Sequence, residues 1–169
     1  MIKKIKGDLI KLAKAGEFDI IMHGCNCWTT MGAGIAKTIR DEFPAAYAAD
    51  LAQKHDRPIN KLGDYSIGTE EIGFNDSEHL DIVNLYTQYN MGAQAEYAAL
   101  RQALQLFVGE HFLTTEKIGI PEIGCGIGGL SIEIVSIILE EELGHLDVTL
   151  VEWEEPKRED YTFSSNGKY

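Results

Sequence analysis

The stretch FDIIMHGCNCWTTMGAGIA, residues 18–36, joins a short apolar run to a glycine-rich loop and then to a helical pattern. Residues 18–23 have the length and apolar content of a buried strand, and helical spacing begins near Gly34. A strand that leads through glycines into a helix is the repeating unit of α/β folds. Ligands bind beyond the carboxyl ends of strands in such folds, so this loop is a candidate site.

The same alternation of apolar runs and helical patterns continues on both sides of this stretch. Strands are predicted at residues 2–5, 18–23, 65–67, 80–86, 117–121 and 148–153. Helices are predicted at residues 9–15, 35–43, 45–55, 95–110 and 132–143. This order predicts a three-layer α/β/α sandwich with a mixed central sheet. We expect one domain over residues 1–153 and a polar C-terminal extension over residues 154–169.

Composition limits the class of protein. Of the 169 residues, 44% are apolar and 25% are charged, as in ordinary globular domains. There are 15 Lys and Arg against 27 Asp and Glu, so the net charge is −12. This charge repels phosphates along a duplex and argues against extended nucleic-acid binding. It is compatible with a small anionic molecule as partner, provided that backbone amides rather than basic side chains hold it.

The sequence also bears on the compartment. No apolar run is long enough to span a bilayer, and the basic start of the chain lacks the apolar core of a signal peptide. Three cysteines, an odd number, argue against a disulfide framework and favour a reducing environment. We expect a cytoplasmic monomer without membrane contact.

The first glycine-rich loop has the features of an anion site. Gly32 and Gly34 let the backbone approach a ligand, and the first N–H groups of the following helix have no partners within the helix. The alternative is that the two glycines only form a tight turn.

A second loop, PEIGCGIGGL at residues 121–130, again joins a strand to a helix. Gly124, Gly126 and Gly129 match the G-x-G-x-x-G pattern of dinucleotide-binding proteins, and Glu152 follows near the next strand end. That fingerprint normally opens the first strand–helix unit, whereas here one helix and one strand remain, which disfavours a dehydrogenase. Two facing anion loops instead suggest a ligand with a diphosphate.

A zinc site and a cysteine nucleophile are two further hypotheses for these loops. His23, Cys25 and Cys27 alternate along the chain, and Cys125 could add a fourth zinc ligand. Alternate side chains of a strand lie about 7 Å apart, however, and the usual C-x2–4-C spacing is missing. Buried cysteines are mostly inert apolar residues rather than nucleophiles. We therefore expect neither a metal nor another cofactor.

Four motifs in this order resemble the macrodomain family. They are Gly7-Asp-Leu9, residues 18–26 ending in Asn26, the stretch MGAGIA at residues 31–36, and IPEIGCGIGGL at residues 120–130. The resemblance covers about residues 1–153 and is strongest to a branch containing ADP-ribose 1″-phosphate phosphatases, phage relatives and antitoxin macrodomains. It implies an α/β/α fold that binds ADP-ribose.

The resemblance also implies individual roles. Asp8 and the Leu9 amide would bind adenine, and Trp153 would cover it. Asn26 would bind the distal ribose. One phosphate would be held by Gly32, Gly34, Ile35 and Ala36, and the other phosphate and the distal ribose by Gly124, Cys125, Gly126, Ile127 and Gly128; Gly24, Cys25 and Thr87 complete the expected ligand-binding set. Purely structural alternatives are a helix cap for Asp8, an Asx turn for Asn26 and a core position for Trp153.

Two departures from the family bear on catalysis. Relatives that hydrolyse ADP-ribosyl links carry a Thr-Lys pair, where this chain has Thr87 and Gln88, and glutamine is neither a nucleophilic amine nor a base. One relative uses an Asp where this chain has Gly128. We expect instead a phosphatase acting on ADP-ribose 1″-phosphate, in which His23 activates water and Asn26 orients the ribose.

Three alternatives remain at this point. His23 could be purely structural, bonded to the backbone. The protein could be a reader that binds ADP-ribose without chemistry. It could also be an ADP-ribosyl hydrolase in which the substrate itself assists the attack of water.

Overall fold

The computed structural model describes residues 1–73 and 78–155. Within them one six-stranded sheet has the order β1-β6-β5-β2-β4-β3. The strands are β1 (Lys3–Gly7), β2 (Ile20–Asn26), β3 (Tyr65–Glu71), β4 (His79–Gln88), β5 (Lys117–Pro121) and β6 (Asp147–Trp153). Only β3 pairs antiparallel, with β4, whereas the other neighbours are parallel. The predicted mixed sheet is confirmed.

Helices cover both faces of the sheet. They are α1 (Leu9–Lys14), α2 (Gly34–Glu42), α3 (Pro44–Ala52), α4 (Tyr97–Glu110) and α5 (Ile132–Leu143), with a 3₁₀ turn at Pro58–Lys61. Ile21 packs with the helices α1 to α3, and its neighbour Met22 packs with α4 and α5. Such alternation is the period of a strand buried on both faces. The three-layer sandwich is confirmed.

Parallel pairing determines where the loops meet. The carboxyl ends of β1, β2, β4, β5 and β6 lie at one edge of the sheet, because these strands all run the same way. The loops that follow β2 and β5 therefore lie side by side there, as expected for a ligand site in an α/β fold.

The C-terminal part of the chain is described only in part. Residues 154 and 155 follow β6, and the Glu154 amide donates to the Gly7 carbonyl at 3.3 Å. The rest of the predicted extension, residues 156–169, lies outside the described residues, so this domain boundary stays a prediction. No described helix is both long and apolar enough to cross a membrane.

Candidate functional site

A cleft of about 680 Å³ opens at the carboxyl edge of the sheet. The first loop, residues 27–33, and the second loop, residues 122–131, form its two sides. Most residues expected from the sequence to bind a ligand lie in its wall: Asp8, Leu9, Gly24, Cys25, Asn26, Gly32, Gly34, Ile35, Ala36, Thr87, Gly124, Gly126, Ile127, Gly128 and Trp153. His23 and Cys125 are not part of this wall.

Asn26 holds the first loop in shape. Its Oδ1 accepts from the Trp28 amide at 2.8 Å, and its Nδ2 donates to Thr30 Oγ1 at 2.7 Å. This is an Asx turn, the structural alternative weighed above. It bends the chain so that Thr29 and Met31 adopt left-handed φ angles of 58° and 37°. Asn26 still lies in the cleft wall, so its structural role leaves it beside any ligand.

Helix α2 begins in the cleft wall with free amide groups. Its N-cap residue, Ala33, provides no side-chain hydrogen bond. Among the described residues, the amides of Gly34, Ile35 and Ala36 have no hydrogen-bond acceptor. Three convergent N–H groups at the positive end of a helix attract an anion.

The second loop is tightly built around its glycines. Gly124 has a φ of 72°, and its carbonyl accepts from the Leu130 amide at 2.8 Å. A Cβ on Gly128 would lie 2.7 Å from that carbonyl oxygen, so only glycine fits there. Within the described chain, the amides of Gly126, Ile127 and Gly128 donate to no protein acceptor. The second loop therefore presents a second set of free N–H groups.

The two loops face each other across the cleft. The Ile127 side chain extends from the second loop, and its Cδ1 would lie 3.4 Å from a Cβ placed on Gly34. Glu152, the acidic residue required by the dinucleotide fingerprint, lies outside the cleft wall. The geometry therefore provides two opposed amide sites, while the acidic residue that a dehydrogenase would need is not among the described residues of the cleft wall.

Adjacent strands β1 and β6 form one end of the cleft. Asp8 caps α1 there, with Oδ1 accepting from the amides of Ile10 at 2.9 Å and Lys11 at 3.2 Å. Trp153 ends β6 beside Gly7 and is 64% exposed, so it is not a core residue. An exposed indole beside a carboxylate can stack on a flat base.

The structure corrects the expectation that His23 acts on a ligand. Its ring is fully buried, and Nε2 lies 2.6 Å from Asn84 Oδ1, opposite it on β4. Asn84 Nδ2 already donates to Ala46 O and Ser66 Oγ, so Asn84 Oδ1 is the acceptor and His23 Nε2 carries the proton. Burial lowers the pKa of His23 from 6.5 to about 4. His23 is therefore neutral near pH 7, has a structural role and lies outside the cleft wall.

The cysteines are also poor nucleophiles. Burial raises the pKa of the Cys25 thiol well above its usual value and that of Cys125 to about 11. Cys125 packs against the core instead of lining the cleft, which corrects its expected place in the ligand-binding set. Among the described residues no three His, Cys, Asp or Glu side chains are arranged to hold a metal ion.

A buried ion pair beside the first loop was missed by sequence reasoning. Asp50, on α3, is 1% exposed and belongs to the cleft wall. Its Oδ1 accepts from Lys61 Nζ and from the Tyr86 hydroxyl, both at 2.8 Å. Lys61 Nζ also donates to Thr29 Oγ1 at 2.9 Å, which ties the pair to the first loop. The only sequence signal was a single aspartate within an apolar helix.

Gln88, which replaces the lysine of some relatives, has a local structural role. Its Nε2 donates to the carbonyl oxygens of Asn90 at 2.7 Å and Gly92 at 3.1 Å. These bonds close the turn that follows β4. The side chain at this position therefore shapes the cleft wall.

Comparison with known proteins identifies the class. No family model matches the chain. An uncharacterised 17.5 kDa protein from the tk-vs intergenic region of Enterobacteria phage T4 is 35% identical over 156 residues, 91% of this chain and 97% of that protein. An ADP-ribose 1″-phosphate phosphatase from Debaryomyces hansenii is 41% identical over 68 residues, which cover 37% of this chain and only 38% of that enzyme.

Solved structures share the fold over the same range. The macrodomain of Mycobacterium tuberculosis DarG superposes with a TM-score of 0.66 and 20% identity, covering 92% of this chain and 99% of that one. Thermosipho africanus DarTG in complex with ADP-ribose gives a TM-score of 0.69 and 19% identity, covering 92% of this chain and 42% of that one. The chain has the fold of a macrodomain. Along nearly its whole length it is a relative of the phage T4 protein.

Proposed function

We propose that this macrodomain binds ADP-ribose in the cleft and hydrolyses ADP-ribose 1″-phosphate to ADP-ribose and inorganic phosphate. The observation that supports it most directly is the pair of opposed amide sites, one from α2 and one from the second loop. A diphosphate has two anionic groups at a fixed short separation, which suits two facing sets of N–H donors.

The names of similar proteins support the same ligand. The D. hansenii relative is an ADP-ribose 1″-phosphate phosphatase, and the T. africanus structure contains ADP-ribose. In our proposal adenine lies at the β1–β6 end, near Asp8, Leu9 and Trp153. The diphosphate lies between the loops. The distal ribose then lies at the β2–β4 end, near Asn26 and Thr87, with the 1″-phosphate beyond it.

The proposed reaction is attack of water on the terminal phosphorus. The bond between phosphorus and O1″ breaks, its electron pair stays on O1″, and a proton from water completes the sugar hydroxyl. The amide sites hold the diphosphate and so fix the distal ribose and its 1″-phosphate in one position for this attack. His23 takes no part, because its ring lies outside the cleft.

The test is release of inorganic phosphate from ADP-ribose 1″-phosphate by the purified protein. Gly126 has open space around its Cα and a φ that any residue can adopt, so Gly126→Leu should fold while its side chain fills the cleft. We expect phosphate release to fall at least about tenfold. Gly109→Leu is the matched control, since that glycine also faces open space but lies on α4, away from the cleft. Absence of phosphate release by the wild type contradicts the phosphatase proposal.

A second candidate is a reader that binds ADP-ribose without chemistry. It is favoured by the burial of His23, which leaves the expected general base outside the cleft. Calorimetric binding of ADP-ribose without turnover of its 1″-phosphate would identify this function. Loss of label from an ADP-ribosylated macromolecule would instead identify a substrate-assisted hydrolase.

The cysteines bear on the compartment in which this function takes place. All three cysteines are unpaired, in keeping with a reducing compartment. We propose a cytoplasmic monomer whose partner is the nucleotide alone. Light scattering of the purified protein tests the monomer.

A further inference from the structure

One carboxylate oxygen of Asp50 accepts no hydrogen bond from the described residues. Among the described residues, its Oδ2 is the one buried side-chain oxygen or nitrogen without a hydrogen-bond partner. Asp50 is nevertheless part of the cleft wall. A buried carboxylate oxygen without a donor is costly, so such an atom in a ligand cleft points to a donor on the ligand.

The neighbours of Asp50 fix the direction of this oxygen. Lys61 Nζ and the Tyr86 hydroxyl both donate to Oδ1, and Lys61 Nζ also donates to the Asp50 carbonyl at 3.1 Å. Lys61 is itself 4% exposed. The carboxylate therefore cannot rotate to exchange its oxygens without breaking two hydrogen bonds. The position of Oδ2 is therefore fixed, and no described protein group donates a hydrogen bond to it.

The position of Asp50 along the cleft indicates which part of the ligand reaches it. Tyr86 lies on β4, and the cleft wall near it contains Asn26 of β2 and Thr87 of β4. Asp8 and Trp153 lie at the other end, separated from it by β5 in the sheet order. The diphosphate offers only acceptors to a carboxylate. In the placement proposed above, the ligand groups at this end that can donate are the hydroxyl groups of the distal ribose.

We propose that Asp50 Oδ2 accepts a hydrogen bond from a hydroxyl group of the distal ribose, and that this contact selects ADP-ribose over ADP. The proposal rests on the proposed function only in taking ADP-ribose as the ligand. A carboxylate accepts and cannot donate, so a ligand that ends at the diphosphate leaves Oδ2 unsatisfied. Lys61 and Tyr86 act as positioning residues that orient this acceptor.

Calorimetry with ADP-ribose and with ADP tests the proposal. Asp50→Asn keeps the shape of the side chain and removes the charge of the acceptor. We expect it to weaken ADP-ribose about tenfold while ADP changes by less than about twofold, because only ADP-ribose reaches position 50. Asp147→Asn makes the same chemical change in another aspartate paired with a lysine, Lys3, outside the cleft wall, and should leave both affinities within about twofold. Equal losses for the two ligands, or none, overturn the proposal.

A second arm changes the ligand and needs no variant, in case Asp50→Asn does not fold. Analogues of ADP-ribose that lack one distal hydroxyl group are titrated into the wild type. At least one should bind about tenfold more weakly, and equal affinity for all of them overturns the proposal. Where the variant folds, the penalty for that analogue should largely disappear in it, because the two changes remove one shared contact.

The failures of the two proposals are distinguishable. A wild type that binds ADP as well as ADP-ribose, or neither, contradicts the ligand itself and with it the proposed function. A wild type that prefers ADP-ribose, with the same preference in Asp50→Asn, contradicts only the role of Asp50. Lack of phosphate release leaves this binding test unaffected.

Discussion

Some residues of this site both stabilise a local turn or helix end and line the cleft. The sequence alone could therefore not decide between a structural and a ligand-binding role for them. Asp8 caps α1 through Oδ1 and also lies in the cleft wall. Asn26 forms an Asx turn in the same wall. Both are short polar residues where a strand gives way to a loop, and that local context was visible in the sequence. The partner of His23 was not, because Asn84 lies 61 residues away and becomes a neighbour only through strand pairing.

Burial of His23 predicts a dependence of stability on pH. Its pKa is about 4 when folded and 6.5 when unfolded, so between these values only the unfolded chain holds the proton. The contribution is complete above pH 6.5 and is lost as pH falls toward 4. As pH falls through this window, protonation of His23 in the unfolded chain should lower the free energy of unfolding by up to about 1.4 kcal/mol per pH unit.

Urea titrations of the wild type and His23→Gln across that window measure the effect. Glutamine can still donate to Asn84 Oδ1 but does not titrate, so carboxylates contribute alike to both proteins. The stability advantage of the wild type over the variant should shrink as pH falls. A difference that is constant with pH would mean that His23 is protonated in the fold.

At the scale of elements, local patterns predicted nearly every helix and strand. The bounds of β5 and α5 agree with the prediction, because both have clear apolar periods between turn residues. β3 extends to Glu71, beyond the predicted residue 67, because its polar end pairs antiparallel with β4. The 3₁₀ turn at Pro58–Lys61 was not predicted, since a short polar segment has no apolar period. Lys61, and with it the anchoring of Asp50, was missed for that reason.

The packing of α3 on β3 depends on Gly68. A Cβ at this position would lie 2.3 Å from the Ala45 carbonyl oxygen, which is backbone and cannot turn aside. Gly68→Ala should therefore push α3 outward and destabilise the protein by about 1–3 kcal/mol, measured by urea denaturation. Since α3 carries Asp50, preference for ADP-ribose over ADP should also fall.

Gly7→Ala is the comparison for that substitution. Gly7 also lies in a strand, but its Cβ would lie 3.7 Å from Leu12 Cδ1, an ordinary contact. Stability should then change by no more than about 0.5 kcal/mol. Equal effects of the two substitutions would show that loss of glycine itself, and not the contact of β3 with α3, determines stability.

At the scale of the whole molecule, the net charge of −12 and an anionic ligand have to be reconciled. The cleft wall contains Asp8, Asp50 and Glu122, and among its described residues there is neither Lys nor Arg. Attraction in the proposed complex must therefore come from short-range contacts with backbone N–H groups. Composition indicated the acidic charge and the glycine pattern indicated the amides, but only the fold shows that acidic side chains and free amides lie in one cleft.

This balance predicts an unusual salt dependence. Added salt screens the long-range repulsion between an acidic protein and a diphosphate but hardly affects direct hydrogen bonds in the cleft. Raising sodium chloride from about 50 mM to about 500 mM should leave the affinity for ADP-ribose unchanged or increase it up to about threefold. Calorimetry measures this, with potassium acetate in parallel to detect competition by chloride. A tenfold loss in both salts would show that basic side chains bind the diphosphate, and the amide sites would then not be what holds it.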